Sequence, residues 1–432
     1  MTPIAPIPHL PAAATSAPAP MPTAGPATTP VPSGPKGPGA TMPMGAALDD
    51  AQVAALATKP DSILPMLAPV GGSTVRLLTD EGEVLPEMLA SVRGAQKQVD
   101  LTMFSLADSG AGKEMVDSLI DRAQKGVGVR VTVDQVGSAV LPKVGAGTAM
   151  LDRMREAGVQ VEVNDRVSQG GLQAVDHRKL LVVDGTTAYT GGMNLSKKFG
   201  KWHDVMVRID GPAAARFGAH FVDRWVDMGG AVKPGSVIPV GTPTRGSHGA
   251  AQAEQGVSLL ANYPGKDLHA STHLLENIAK ASTRAWILTP TLSDPEVVAA
   301  LKEAAGRGVD TRVAVSGPEG WIGTRALGLI GSTFYRELVG AGVKVYEQPG
   351  MSHAKVSLVD DIASVGSLNM TRRAMLWDHE LMLASDHKPF VGQIENLFTT
   401  DFAKSNAVTP ERANAMGARV GELVRRGTGL KW

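Results

Sequence analysis

His177-Arg178-Lys179-Leu180-Leu181-Val182-Val183-Asp184 returns as His353-Ala354-Lys355-Val356-Ser357-Leu358-Val359-Asp360, 353 − 177 = 176 residues further along a chain of 432. Each stretch spells H-x-K-x-x-x-x-D. The β-branched and apolar residues of Val175 to Val183, and of Lys355 to Val359, predict a strand for each copy. Alternate side chains of a strand share a face, which would set His177 beside Lys179 and His353 beside Lys355. Each copy then offers an imidazole, whose ordinary pKa of ~6.5 suits it to attack or to proton transfer near neutrality. It also offers an ammonium, a fixed positive charge for phosphate oxygens. Two copies inside a longer repeat point to one phosphoryl-transfer site built from both halves.

Further matched elements follow each motif. Gly191-Gly192-Met193-Asn194 answers Gly366-Ser367-Leu368-Asn369; glycine lets backbone approach a ligand closely, and the amides of Asn194 and Asn369 can donate to an oxyanion. Asp204 lies 204 − 177 = 27 residues after the first histidine and Glu380 lies 380 − 353 = 27 after the second. A carboxylate at a repeated distance suits a ring N–H, fixing the tautomer and stabilising the imidazolium. Asp184 and Asp360, at the strand ends, suit a turn or a structural salt bridge rather than catalysis. A lone histidine on a strand is more often structural than catalytic, but two with matched lysines, asparagines and carboxylates favour catalysis.

The repeat extends upstream. Val99 to Phe104 answers Ala285 to Pro290 as a strand, and Met115 to Lys125 answers Val297 to Arg307 as an amphipathic helix stopped by Gly126 or Gly308. Val129 to Val133 then answers Thr311 to Val315 as a second strand, and Met150 to Glu156 answers Phe334 to Val339 as a second helix. This order reads as α/β with a largely parallel sheet in each half. The expected organisation is a Pro/Ala-rich disordered tail over 1–60, a first half over 71–228, a Gly/Pro/Ser/Thr-rich linker over 229–256, a second half over 257–405 and a C-terminal helical extension over 406–432.

The paired motifs, with Asn194, Asn369, Asp204 and Glu380, resemble the phospholipase D superfamily. The first half is similar to bacterial cardiolipin synthases in His177 to Gly185, in Ala188-Tyr189-Thr190-Gly191-Gly192-Met193-Asn194, and in Trp202, Asp204, Arg208-Ile209 and Gly211-Pro212. The resemblance covers roughly residues 75 to 405. It implies two pseudo-symmetric phospholipase D-like α/β halves with the active site at their interface, a phosphohistidine intermediate, and a reaction without metal or other cofactor. It further implies His177 as nucleophile and His353 as acid and base; the residues themselves also allow the reverse. The second motif is more polar, with Ser357 and Asp360-Asp361, and its carboxylate is Glu380 where the first is Asp204, so the halves should differ in role.

Composition narrows the substrate. The 42 basic residues balance 42 acidic ones and aromatics make up 4% of the chain. A nuclease usually shows a basic excess to neutralise phosphates, so the balance disfavours nucleic acid, and the resemblance implies a phospholipid met at a membrane surface. No apolar run of ~18 residues offers a membrane span, whereas membrane-anchored cardiolipin synthases carry N-terminal transmembrane helices. The expected protein is soluble or peripheral to a membrane. Cysteine is absent, which excludes disulfides and thiolate chemistry. Trp321 and Ile322, between the glycines of the loop Gly317 to Gly323, are candidates for substrate access at a lipid interface, or for packing on the helices beneath. The loop Ser168 to Gly171 is a second candidate for access. Lys197, Lys198 and Lys201, with Arg372 and Arg373, flank the two motifs.

Overall fold

The computed structural model describes residues 71–140, 146–165, 174–232, 256–265, 267–317 and 331–415. All of them belong to one compact unit, Met42–Trp432. The expected tail over 1–60 and nearly all of the linker over 229–256 lie outside the described residues.

The first sheet holds seven strands: β1 (Thr74–Thr79), β2 (Gln98–Met103), β3 (Gly128–Asp134), β4 (Gln160–Asn164), β5 (Lys179–Val183), β6 (Thr187–Gly191) and β7 (Val205–Asp210). Across the sheet they run β1-β7-β6-β5-β2-β3-β4. The second sheet contains β8 (Val257–Tyr263), β9 (Asp267–Leu268), β10 (Arg284–Leu288), β11 (Asp310–Ser316), β12 (Lys344–Gln348), β13 (Val356–Val359), β14 (Ile362–Gly366), β15 (Glu380–Ser385) and β16 (Asn406–Ala407). Its order, β16-β12-β11-β10-β13-β14-β15-β8-β9, repeats that of the first sheet from β12 to β8 and adds a short strand at each edge.

Neither sheet is largely parallel. β2, β3 and β4 pair in parallel because helices Ala111–Gln124 and Ala146–Glu156 connect them. From β5 onward the pairings are antiparallel. The reason is local: Asp184 (φ 50°) and Gly185 (φ 69°) turn the chain back within three residues, and Asp360 (φ 48°) does so within two. The Asp184 carboxylate accepts from the amides of Gln96, Lys97 and Gln98, and Asp360 likewise from Ser282, Thr283 and Arg284. Of the helical extension expected over 406–432, the described residues hold β16, paired to β12, and the single helical turn Pro410–Ala413, while residues 416–432 lie outside them.

Strand alternation sorts the apolar residues into three layers. Leu181, Val183 and Met206 face the first half's own helices, and Val359, Met382 and Ala384 face those of the second half. The intervening positions Leu180, Val182, Val205 and Val207 meet Val356, Leu358, Leu381 and Leu383 in a core shared by both sheets. Helices Pro212–Asp227 and Lys388–Lys404 contribute Phe217, Trp225, Phe390 and Phe398 to this central layer. The halves are therefore joined by buried apolar surface, and each motif strand has one face on the seam.

Candidate active site

The motif strands begin later than the sequence predicts: β5 opens at Lys179 and β13 at Val356, so both histidines stand just ahead of the strands. Main chain from the other half holds them there. The His177 amide donates to the carbonyl of His379 at 3.0 Å, and the His379 amide donates back to Val175 at 2.9 Å. In the second half the His353 amide donates to the carbonyl of His203 at 2.7 Å, and His203 donates to Met351 at 3.0 Å. His379 precedes Glu380 and His203 precedes Asp204, so these bridges deliver each carboxylate to the opposite half's ring.

The side chains pair accordingly. His177 Nδ1 lies 3.0 Å from Glu380 Oε1, and His353 Nδ1 lies 2.7 Å from Asp204 Oδ2. The repeated 27-residue spacing hides this exchange, since each carboxylate follows its own half's histidine in sequence and serves the other's in space. His177 Nδ1 also sits 3.1 Å from the Ser367 carbonyl. A carbonyl only accepts, so Nδ1 carries the hydrogen and Nε2 keeps its lone pair. Ser367 further donates its hydroxyl to Glu380 Oε2. Ser367 was not among the predicted site residues; its signal is that the first half has Gly192 in the corresponding place. A Cβ at Gly192 would meet Asp204 Oδ1 at 2.2 Å and the His353 carbonyl at 3.0 Å, so only glycine fits.

Lys179 and Lys355 are both fully buried, and each donates its ammonium to the carbonyl of its own motif's histidine. Burial pushes Lys179 down to about 8 and Lys355 down to about 7. Burial, followed by the Lys179 and Lys355 charges, holds His177 well below its ordinary value. Burial and Lys355, with a smaller contribution from Lys179, bring His353 down to about 3. Each ammonium thus acts on both imidazoles, and the four groups form one electrostatic unit. The carboxylates differ: burial raises Glu380 to about 8, whereas for Asp204 the effect of burial is outweighed by the His353 ring, Lys355 and the Val205 amide, leaving it below the ordinary range.

Asn194 is buried and its Oδ1 accepts the Ser105 amide at 3.2 Å, which leaves its amide hydrogens to donate. Asn369 is half-buried, with an Oδ1 that has no hydrogen-bond partner among the described residues. Phe104 packs edge-on against the His177 ring at 4.7 Å, and Trp202 lies 5.3 Å from His353. Trp321, Ile322 and the loop Ser168 to Gly171 lie outside the described residues. Among the described residues no group of three or more His, Asp or Glu side chains is arranged to hold a metal ion.

One support belongs to the first half alone. Asp176, beside His177, is clamped by Arg178 at 2.7 and 2.6 Å and by Arg224 at 3.3 Å. Burial alone would raise the Asp176 carboxyl, but the two guanidiniums hold it far below the ordinary range. Arg178 also donates to His220 Nε2 at 2.8 Å, and His220 Nδ1 meets Tyr263 of the second half at 3.0 Å. The corresponding positions beside His353 are Ser352 and Ala354, which carry no charge.

The family model described as "Cardiolipin synthase, PLD-like domain" matches residues 88–225 and 274–402, one segment in each half. The chain is 30% identical to a cardiolipin synthase A of Pseudomonas putida (strain W619) over 84% of its own length and 76% of that protein's. It is also 30% identical to a cardiolipin synthase A of Pseudomonas syringae pv. syringae (strain B728a), again over 84% and 76%. Among solved structures, the phosphatidylserine synthase of Haemophilus influenzae Rd KW20 superposes with a TM-score of 0.65 at 15% identity, covering 87% of this chain and 98% of that one, a likeness of fold. Two matched segments, one on either side of a shared seam, and an identity that runs through most of two such proteins place the chain in the phospholipase D-like cardiolipin synthase family.

Proposed function

We propose that the protein transfers phosphatidyl groups between alcohols at a membrane surface, forming cardiolipin from glycerophospholipid, with His177 as nucleophile and His353 as acid and base. The observation that supports these roles best is the Ser367 carbonyl at 3.1 Å from His177 Nδ1, which fixes the tautomer and frees Nε2 for attack. In the first step Nε2 bonds to phosphorus, the bond from phosphorus to the headgroup oxygen breaks, and the His353 ring gives its proton to that oxygen. In the second, His353 takes the proton of an acceptor alcohol, whose oxygen displaces His177 and restores the phosphodiester. With water as acceptor the same steps hydrolyse the lipid.

Lys179 and Lys355 supply positive charge to the phosphate oxygens, and Asn194 and Asn369 supply amide hydrogens. A phosphodiester between the lysines offsets the positive charge that, after burial, depresses His353, and Asp204 stabilises its imidazolium. Glu380 and Ser367 keep His177 in the attacking tautomer. Among the described residues no helix is long and apolar enough to cross a membrane. On this reading the substrate is met at the membrane surface by the face that carries both motifs. In the two-half organisation proposed here, residues 71–228 and 257–405 each contribute one histidine, one lysine, one asparagine and the carboxylate that serves the other half's histidine.

The test pairs two substrates. Purified protein given glycerophospholipid vesicles without added divalent metal is expected to release headgroup or to form cardiolipin, while plasmid DNA stays intact. Rapid cutting of plasmid alongside inert vesicles would overturn the phospholipid reading in favour of a nuclease.

A further inference from the structure

Asp80 adopts a left-handed backbone, with φ 57°, where β1 gives way to helix Asp80–Gly94. Asp184 and Asp360 take the same conformation at hairpin turns, whereas Asp80 takes it at the start of a helix. Glycine is the default residue for such a backbone, and a side chain kept there at a cost in strain points to a use for that side chain.

The use shows in what Asp80 holds. It follows Thr79, which pairs with Val205, so it stands across from Asp204. The Asp80 amide donates to the Asp204 carbonyl at 2.8 Å, and Asp80 Oδ1 accepts the Asp204 amide at 3.1 Å. One residue thus engages both main-chain groups of Asp204. Asp80 Oδ1 also lies 2.9 Å from Nδ1 of His203, whose Nε2 lies 3.0 Å from Asp401 Oδ2 of the second half. An ionised carboxylate only accepts, so a ring with one at each nitrogen carries both hydrogens. Although burial opposes it, Asp401 and Asp80 push His203 up to about 10, in keeping with a fixed imidazolium. The His203 carbonyl in turn accepts the His353 amide at 2.7 Å. Asp80, the His203 cation and Asp401 therefore clamp the two residues, His203 and Asp204, that hold the backbone and the ring of His353.

The His177 side is built differently. Across from Glu380 stands Asn262, whose amide turns to Ser271, and His379 meets the Tyr263 ring at 5.6 Å. The carboxylate clamp belongs to the histidine that handles the leaving-group proton.

We propose that Asp80, acting through His203 and the Asp204 main chain, is a positioning residue for proton donation by His353. It touches neither substrate nor the reacting atoms. The inference rests on the transfer reaction proposed above, in which His353 protonates the headgroup oxygen. Without the clamp the Asp204 carboxylate, and the His353 ring with it, drifts out of line with that oxygen, while His177 and the lysines keep their places. Binding and attack are spared, and proton donation is not.

The test compares two leaving groups on one lipid: phosphatidylglycerol, whose glycerol needs a proton to depart, and the nitrophenyl ester of phosphatidic acid, whose nitrophenolate does not. Release is read in single turnover, with enzyme in excess, so that only the first step counts. Asp80→Gly accepts the same backbone and removes the carboxylate. It is expected to slow release from phosphatidylglycerol by about tenfold or more, to change release from the nitrophenyl ester by less than about threefold, and to leave the half-saturating concentration of both within about twofold. Asp80→Asn, which keeps an acceptor for the Asp204 amide, should recover most of the loss. If the glycine variant does not fold, His203→Gln carries the test, and the same selective loss is expected of it. Equal losses on both esters, or no loss on either, in a folded variant would overturn the inference and leave the transfer reaction standing. Wild-type protein inactive on phosphatidylglycerol would overturn the transfer reading, and this inference with it.

Discussion

Asp204 Oδ2 stands 2.7 Å from Nδ1 of His353, a residue 353 − 204 = 149 positions away in the other half. The first prediction concerns this exchange. Asp204→Asn is expected to lower turnover by about 10²–10⁴, as loss of an orienting carboxylate does elsewhere. In double-mutant cycles of folding stability, where loss of the nucleophile does not mask a second change, it should couple to His353→Ala and be nearly additive with His177→Ala. Glu380→Gln should show the opposite pairing. A double-mutant cycle in which Asp204 couples to His177 more strongly than to His353 would contradict the geometry.

The division of labour between the histidines can be read from leaving-group dependence. A phosphodiester that releases nitrophenolate needs no proton donor, so His353→Ala should keep a burst of product from it that His177→Ala loses. The trapped phosphoryl group should map to His177. A burst retained only in the His177 variant would reverse the assignment.

The lysines set a pH limit. Lys355, brought down to about 7, and Lys179, brought down to about 8, lose their protons as pH rises, and positive charge leaves the phosphate site. Glu380, raised to about 8, loses its proton in the same range and adds a negative charge. All three changes weaken anion binding in the same direction, so kcat/KM should fall by about tenfold per pH unit above pH ~7 and more steeply above pH ~8. Bound phosphodiester favours the ammonium forms, so the limb in kcat should lie at higher pH than the limb in kcat/KM. A flat kcat/KM profile from pH 6 to 10 would rule the lysines out as charge donors.

Behind His177, Asp176→Asn removes the carboxylate that Arg178 and Arg224 share and leaves two guanidiniums buried without it. Breaking a buried pair in this way costs about 3–5 kcal/mol, measurable as a shift in the denaturant midpoint. A loss below about 1 kcal/mol would mean that the cluster relaxes around the change.

The parts that sequence made legible are those set by local pattern. The 176-residue offset joins the two motifs, and the upstream strand-helix alternation matches the identical order of β1 to β7 and of β8 to β15 with β10 to β12. The antiparallel part of each sheet was harder to read, because the turns at Asp184 and Asp360 leave no room for a crossover helix and only their left-handed backbone announces them. The exchange of carboxylates is a property of the seam, and equal spacing within both halves carries no sign of it. The Asp176–Arg178–Arg224 cluster and the His203 clamp join residues up to 401 − 203 = 198 positions apart, a distance at which periodicity is silent. Ser367 escaped notice because its contribution to His177 comes from its backbone carbonyl, which any residue possesses.

The main chain of the two halves is stitched at His177 with His379 and at His353 with His203, beside the two exchanged carboxylates. A perturbation that loosens the seam ahead of the sheets, as mild heat or a low dose of urea is expected to do, would unfasten both proton-handling pairs in one event. Inactivation should then run ahead of unfolding, and the width of the gap between the two curves would gauge how tightly the halves are clasped.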